Sequence, residues 1–138
     1  MGGSLTRWMA ATAAVIGSAH EKTGTPCQDV ACSHVGDGLA AVVLADGAGS
    51  AARSELGAHL ATQATLRLLK QEFENLVTAP IDEVRHQVVD AVLNSLATIA
   101  GSDHWPLRDL ACTLLFAAVR NGTYIAGHLG DGIIACAR

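Results

Sequence analysis

The run Leu39-Ala-Ala-Val-Val-Leu-Ala45 places seven apolar residues in a row, delivers one carboxylate at Asp46, and breaks into Gly47-Ala-Gly49-Ser50. A short apolar segment closed by glycines reads as a buried strand. A strand that ends on an aspartate beside two glycines holds a hard oxygen ligand where backbone can approach closely, an arrangement suited to Mg²⁺ or Mn²⁺. Asp-Gly is also the commonest turn dipeptide, so taken alone the stretch reads as a strand-to-helix turn.

The rest of the chain supplies a definite order of elements around that strand. Trp8 to Gly17 alternates loosely and predicts a first strand, and Ser18 to Cys27 is a polar loop broken by Gly24 and Pro26. Gln28 to His34 predicts a strand that Gly36-Asp37-Gly38 turns back into Leu39 to Ala45, making a hairpin. Ala51 to Phe73 predicts a helix, with Leu56, Leu60, Ala64 and Leu68 as its apolar line, helped by Ala61 and Leu69. Pro80 opens a second helix with Asp82 and Glu83 at its positive end. Ile81, Val84, Val88, Val92, Leu96 and Ile99 are its stripe, and Gly101 is its stop. After a connector holding Trp105-Pro106 come strands at Leu110 to Val119, Thr123 to Leu129 and Ile133 to Ala137, punctuated by Asn121-Gly122 and Gly130-Asp131-Gly132. Strands, two helices, then strands joined by hairpins predict an α+β fold, with paired helices on one face of an antiparallel sheet.

Composition narrows the functional classes. The 138 residues suffice for one domain, half of them are apolar, only 16% are charged, and mean hydropathy is +0.32. This excludes disorder and predicts apolar surface that meets a partner or a remaining part of the same fold. The net charge of −4, with nine Lys and Arg scattered singly, gives no basic stripe for nucleic acid. Cys27, Cys32, Cys112 and Cys136 have neither C-x-x-C nor zinc spacing and read as buried reduced thiols of a cytoplasmic chain. Met1-Gly2-Gly3-Ser4-Leu5-Thr6 matches a degenerate myristoylation pattern, and Trp8 to Ala19 is a weak echo of a signal peptide; neither is adopted. No segment has the apolar length needed to span a bilayer, so no membrane role is expected.

Asp29, Asp46 and Asp131 each lie at a strand end or in a glycine turn rather than on a helix face. Carboxylates at adjacent strand ends can converge, and their repulsion makes a cation the natural partner. Turn formation explains Asp46 and Asp131 equally well on spacing alone.

Four successive stretches then resemble the N-terminal motifs of the metal-dependent (type 2C) Ser/Thr protein phosphatases. They are His20-Glu-Lys-Thr-Gly24-Thr-Pro26-Cys27-Gln28-Asp29, Ala45-Asp46-Gly47-Ala48-Gly49-Ser50, Ala111-Cys-Thr113-Leu114 and His128-Leu-Gly130-Asp131-Gly132. The H-x-x-x-G-x-P-C-Q-D opening from His20 to Asp29 is similar to the divergent bacterial branch of that family, and the resemblance runs from about Val15 onward.

The resemblance implies an antiparallel β-sandwich flanked by helix pairs, of which residues 1–138 form a single, C-terminally truncated domain corresponding to about half. It implies two metal ions, Mn²⁺ or Mg²⁺, bridged by Asp46 and ligated by the Gly47 carbonyl, with Asp131 contributing to a third. Asp29 and Asp46, with His20 as a phosphate-side donor, are the implied catalytic residues. The family's second-metal Glu is replaced by Gln28, which offers only a carbonyl oxygen, and its phosphate-gripping Arg by Gly24, leaving His20 or Lys22 as substitutes. The family's two C-terminal metal aspartates, in D-G and D-N motifs, have no counterpart after Asp131.

Two functional readings stay open. One is a phosphatase that hydrolyses phosphoserine and phosphothreonine in phosphoproteins with a metal-activated water. The other is a catalytically inactive pseudophosphatase or regulatory binding module that keeps the fold. Either expects a protein partner or second chain over the uncovered face of the half-sandwich. Cysteine-phosphatase chemistry is not expected, because neither Cys27 nor Cys32 is followed by an Arg at C-x5-R spacing.

Overall fold

The structure is a computed structural model that describes residues 7–16, 21–22, 24 and 26–137. Its strands are β1 (Asp29–Gly36), β2 (Leu39–Asp46), β3 (Leu114–Arg120) and β4 (Thr123–Leu129). Between β2 and β3 lie helices α1 (Ser54–Thr78) and α2 (Ile81–Ser102) and a 3-10 turn at Leu107–Leu110. The four strands form one antiparallel sheet in the order β1-β2-β3-β4, and both helices cover the same face, so the chain is α+β as expected.

The outer strand pairs are tight hairpins whose turns the sequence dictates. Gly36 pairs with Leu39 and Arg120 with Thr123, leaving two-residue loops in which Asp37, Gly38, Asn121 and Gly122 all have φ between 51° and 78°. Two consecutive positive φ values match the right-handed twist of the flanking strands, and Asp-Gly and Asn-Gly are the pairs that adopt them at least cost. The middle pair, β2 with β3, is closed instead by the helical hairpin.

Alternation along the strands divides the sheet into two unlike faces. Leu39, Ala41 and Val43 of β2, with Leu114, Phe116 and Ala118 of β3, meet Leu69, Phe73 and Leu76 of α1 and Val84 and Val88 of α2 in the main core. A smaller cluster of Leu96, Ala100 and Leu110, flanked by Leu56 and Leu60, joins α2 and the 3-10 turn to α1. On the opposite face Val35, Leu44 and Tyr124 are 50%, 41% and 77% exposed, so the expected uncovered apolar face is present.

Several expectations need correction. The line of α1 that is buried runs through Gly57, Ala58, Ala61, Thr62, Thr65, Leu69, Phe73 and Leu76, and Leu56, Leu60 and Leu68 are only half-buried. Small residues form this line because the helix lies close to its neighbours: a Cβ on Gly57 would sit 2.0 Å from the Leu110 carbonyl oxygen. In α2, Ile81 is 66% exposed, and the helix continues through Gly101 to Ser102. Residues 8–16 and 133–137 form no strand, because no described strand pairs with them and an extended segment without a ladder leaves its backbone groups to water. The third strand starts at Leu114 rather than Leu110, the residues before it being taken by the 3-10 turn and by a single bridge from Cys112 to Gly47. All four cysteines are free; Cys136 is exposed and the others are half-buried.

Candidate metal centre

One end of the sheet gathers the start of β1, the end of β2, the start of β3 and the end of β4. There the β1–β2 register sets Asp29 directly opposite Asp46. Gly47 N–H donates to the Gln28 carbonyl at 3.0 Å, extending the ladder one step, and Gly47 also bridges to Cys112 on the other side. Gln28, Asp29, Asp46 and Gly47 are therefore neighbours at this end of the sheet. Both aspartates are exposed, and alternation puts the Asp46 side chain on the same sheet face as Leu44, the face without helices.

Like charges at directly opposed cross-strand positions repel, and a cation is one partner that offsets such repulsion. The donors are hard oxygens: two carboxylates, the Gln28 amide carbonyl and the backbone carbonyls of the turn. The Gln28 side chain reaches the turn, its Oε1 lying 4.0 Å from where a Gly49 Cβ would be. Gly47 is tied from below, since a Cβ there would come within 2.8 Å of the Ser54 backbone and Cβ. The donor set fits a divalent cation of the Mg²⁺ or Mn²⁺ type.

The turn from β2 into α1 is fixed by the segment before β3. Ala48 N–H donates to the Ala111 carbonyl at 2.9 Å and Arg53 N–H to the Asp109 carbonyl at 2.8 Å. The Arg53 guanidinium pairs with the Asp109 carboxylate at 2.9 Å and stacks 4.1 Å over the Trp105 ring. Arg53 thus fastens the loop and is spent on that contact rather than held ready for an anion. Burial, and then the nearby Asp46 carboxylate, push the Cys112 thiol above its ordinary pKa, which keeps it protonated and poor as a nucleophile.

Asp131 lies at the same end of the sheet but two strands from Asp46. The turn that carries it uses Gly130 at φ 93° and Gly132 at φ 133°, and Cβ atoms at these glycines would press on Thr113 and Leu115 at 2.9 and 2.7 Å. His128 Nδ1 lies 3.2 Å from the Gly130 carbonyl and braces that turn. Among the described residues no three His, Cys, Asp or Glu side chains form a ligand cluster, so Asp131 is not gathered with Asp29 and Asp46. His20 lies outside the described residues, as does the Met1 to Thr6 pattern; Lys22 and Gly24 are exposed.

Sequence reasoning missed Thr113. Its Oγ1 accepts the Asp46 N–H at 3.0 Å, and its own N–H donates to the Asp46 carbonyl at 2.8 Å. The only signal was its place in the Ala111-Cys-Thr113-Leu114 stretch, because the register that opposes residues 46 and 113 follows from a helical insertion whose length does not announce it.

The comparisons with known proteins agree with this architecture. No solved structure matches the chain at a significant level. A curated relative, serine/threonine-protein phosphatase 3 of Escherichia coli (strain K12), is 28% identical over 131 residues, covering 91% of this chain and 51% of its own length. The chain therefore spans about half the length of the curated relative it matches. The family model described as Protein phosphatase 2C matches residues 16–138, nearly the whole sheet-and-helix unit together with the strand end that pairs Asp29 with Asp46, and the chain belongs to that family.

Proposed function

We propose that this chain carries the N-terminal part of the metal centre of a phosphoprotein phosphatase acting on phosphoserine and phosphothreonine. The observation that carries the reading is the cross-strand pair Asp29 and Asp46, flanked by Gln28 and Gly47 and rigidly tied to α1 and β3. Asp46, Asp29 and the Gly47 carbonyl are the residues that would hold Mn²⁺ or Mg²⁺, with the Gln28 amide oxygen in place of a carboxylate. When bound, such ions supply a water of lowered pKa and positive charge opposite a phosphoryl group. The chain's own part is positional: the ladder through Gly47 and Thr113 holds Asp46 at the sheet end. Asp131, two strands away at the same end of the sheet, would serve a further site.

A second reading, a regulatory module that keeps the fold without turnover, is favoured by one feature. Gln28 is neutral where the chemistry asks for charge, and Gly24 puts no cation beside it. The two separate in a paired experiment. Mn²⁺ titration by calorimetry together with p-nitrophenyl phosphate hydrolysis is expected to give binding and Mn²⁺-dependent turnover that both vanish in Asp46→Asn. Binding without turnover selects the module. Binding that survives Asp46→Asn removes the metal centre from this position. Among the described residues no helix is long and apolar enough to cross a membrane.

A further inference from the structure

Thr113 stands between the two strand ends that carry Asp46 and Asp131. It lies opposite Asp46 at the start of β3, and its two branches do different things. The hydroxyl oxygen takes the Asp46 N–H at 3.0 Å, while the Thr113 N–H reaches the Asp46 carbonyl at 2.8 Å, so the backbone of the aspartate is held from both of its polar groups. The methyl branch points to β4: Cγ2 is 2.9 Å and Cβ 3.2 Å from where a Gly130 Cβ would stand. Gly130 can take φ 93° and lie this close only because it has no side chain. The turn that presents Asp131 is thereby seated on Thr113.

We propose that Thr113 is a positioning residue for both aspartates, its hydroxyl setting Asp46 and its methyl setting the Gly130-Asp131-Gly132 turn; this rests on the metal-centre reading above. These bonds fix the Asp46 backbone in the ladder, and so the Cβ from which its carboxylate projects, and losing an outer-shell support of a metal ligand typically weakens metal binding by about 10- to 100-fold. Thr is the one residue type that offers both branches at one Cβ. Ser keeps the hydroxyl and loses the methyl, whereas Val keeps a methyl and loses the acceptor.

The test compares wild type, Thr113→Ser, Thr113→Val and Asp46→Asn in the full chain. It uses Mn²⁺ affinity from the electron paramagnetic resonance of the free ion, exchange of the Asp46 amide proton, and the melting temperature. Thr113→Val is expected to weaken Mn²⁺ about tenfold or more and to speed Asp46 amide exchange, with a cooperative melt retained. Thr113→Ser is expected to keep the Asp46 amide protected and to restore most of the affinity.

Wild-type affinity and exchange in Thr113→Val overturn the proposal, as does loss of Asp46 amide protection in Thr113→Ser, which keeps the hydroxyl. If Thr113→Val does not fold, Thr113→Ser decides, since loss of the Asp46 amide protection there contradicts the assigned role of the hydroxyl. If wild type binds no Mn²⁺, the metal-centre reading fails, and the amide exchange still judges the positioning of Asp46.

Discussion

Replacing Gly57 with Ala tests how the loop after Asp46 is held. Gly57 is buried in the first turn of α1, and an added Cβ would lie 2.0 Å from the Leu110 oxygen, 2.6 Å from its carbonyl carbon and 2.9 Å from its Cα. Ordinary contact begins at 3.4 Å, so α1 and the 3-10 turn must separate by about 1.4 Å, and the partner is backbone with no rotamer to change. Helix propensity pulls the other way, since Ala is favoured over Gly in a helix interior by about 1 kcal/mol. Overpacking against rigid backbone costs about 3 kcal/mol, and separation also loosens Leu110, which is fully buried, leaving a net loss of about 2 kcal/mol or more. Gly101 is the control: it lies in the last turn of α2, its Cβ would meet nothing within 4 Å, and Gly101→Ala should gain a few tenths of a kcal/mol to about 1 kcal/mol. Urea unfolding followed by circular dichroism should show the midpoint falling in Gly57→Ala and rising in Gly101→Ala, with the slope unchanged in both. Gly57→Ala at or above wild-type stability would refute the close approach of α1 to the 3-10 turn.

Arg53→Ala removes both an ion pair whose side chains are 35% and 20% exposed and the stacking on Trp105, and is expected to cost about 1 kcal/mol after solvent screening. A red shift in tryptophan emission should accompany it, and unchanged emission would separate Arg53 from Trp105. Gly122→Ala forces a Cβ onto φ 78° in the β3–β4 turn and should lower stability by about 1 kcal/mol, read as a lower melting temperature. Alkaline pH should destabilise the fold through Cys32. Burial raises its pKa above the ordinary value of 9.0, a side-chain hydrogen bond with Thr62 only partly opposing this, so the folded state holds the proton more tightly. That contribution is complete below pH 9.0 and is lost as pH rises through the folded value. The urea midpoint should therefore fall as pH rises above 9.0, and Cys32→Ala should flatten the fall.

What the sequence made legible was local. Asp37-Gly38 and Asn121-Gly122 declare their hairpins because positive φ has few affordable residues, and Thr123 to Leu129 is a strand to the residue. Pro80 and the acidic pair after it mark the start of α2 for equally local reasons. The inner face of α1 was legible in part: Ala61, Ala64 and Leu69 are buried as expected, but a helix lying within backbone contact of its neighbours buries Gly57 and Ala58 where hydropathy favours Leu56, Leu60 and Leu68. Trp8 to Ile16 and Ile133 to Ala137 have strand-like composition, but a strand exists only with a partner, and partners are set by topology. The same limit hid Thr113, whose meaning comes from a partner 67 residues away.

The placement of the site on the sheet carries a further consequence. Asp46 belongs to the face that also exposes Val35, Leu44 and Tyr124, and Asp29 pairs with it there, so the charged end and the uncovered apolar surface are parts of one face. Anything laid over that surface removes water from the paired carboxylates, and desolvation without neutralisation is costly. A cation between Asp29 and Asp46 lowers that cost, and a covered face in turn strengthens the attraction between carboxylate and cation. On the metal-centre reading proposed above, burial of the apolar face and metal binding would be linked and would favour each other by the same free energy, apolar cover and a divalent ion acting on this sheet as mutually reinforcing ligands.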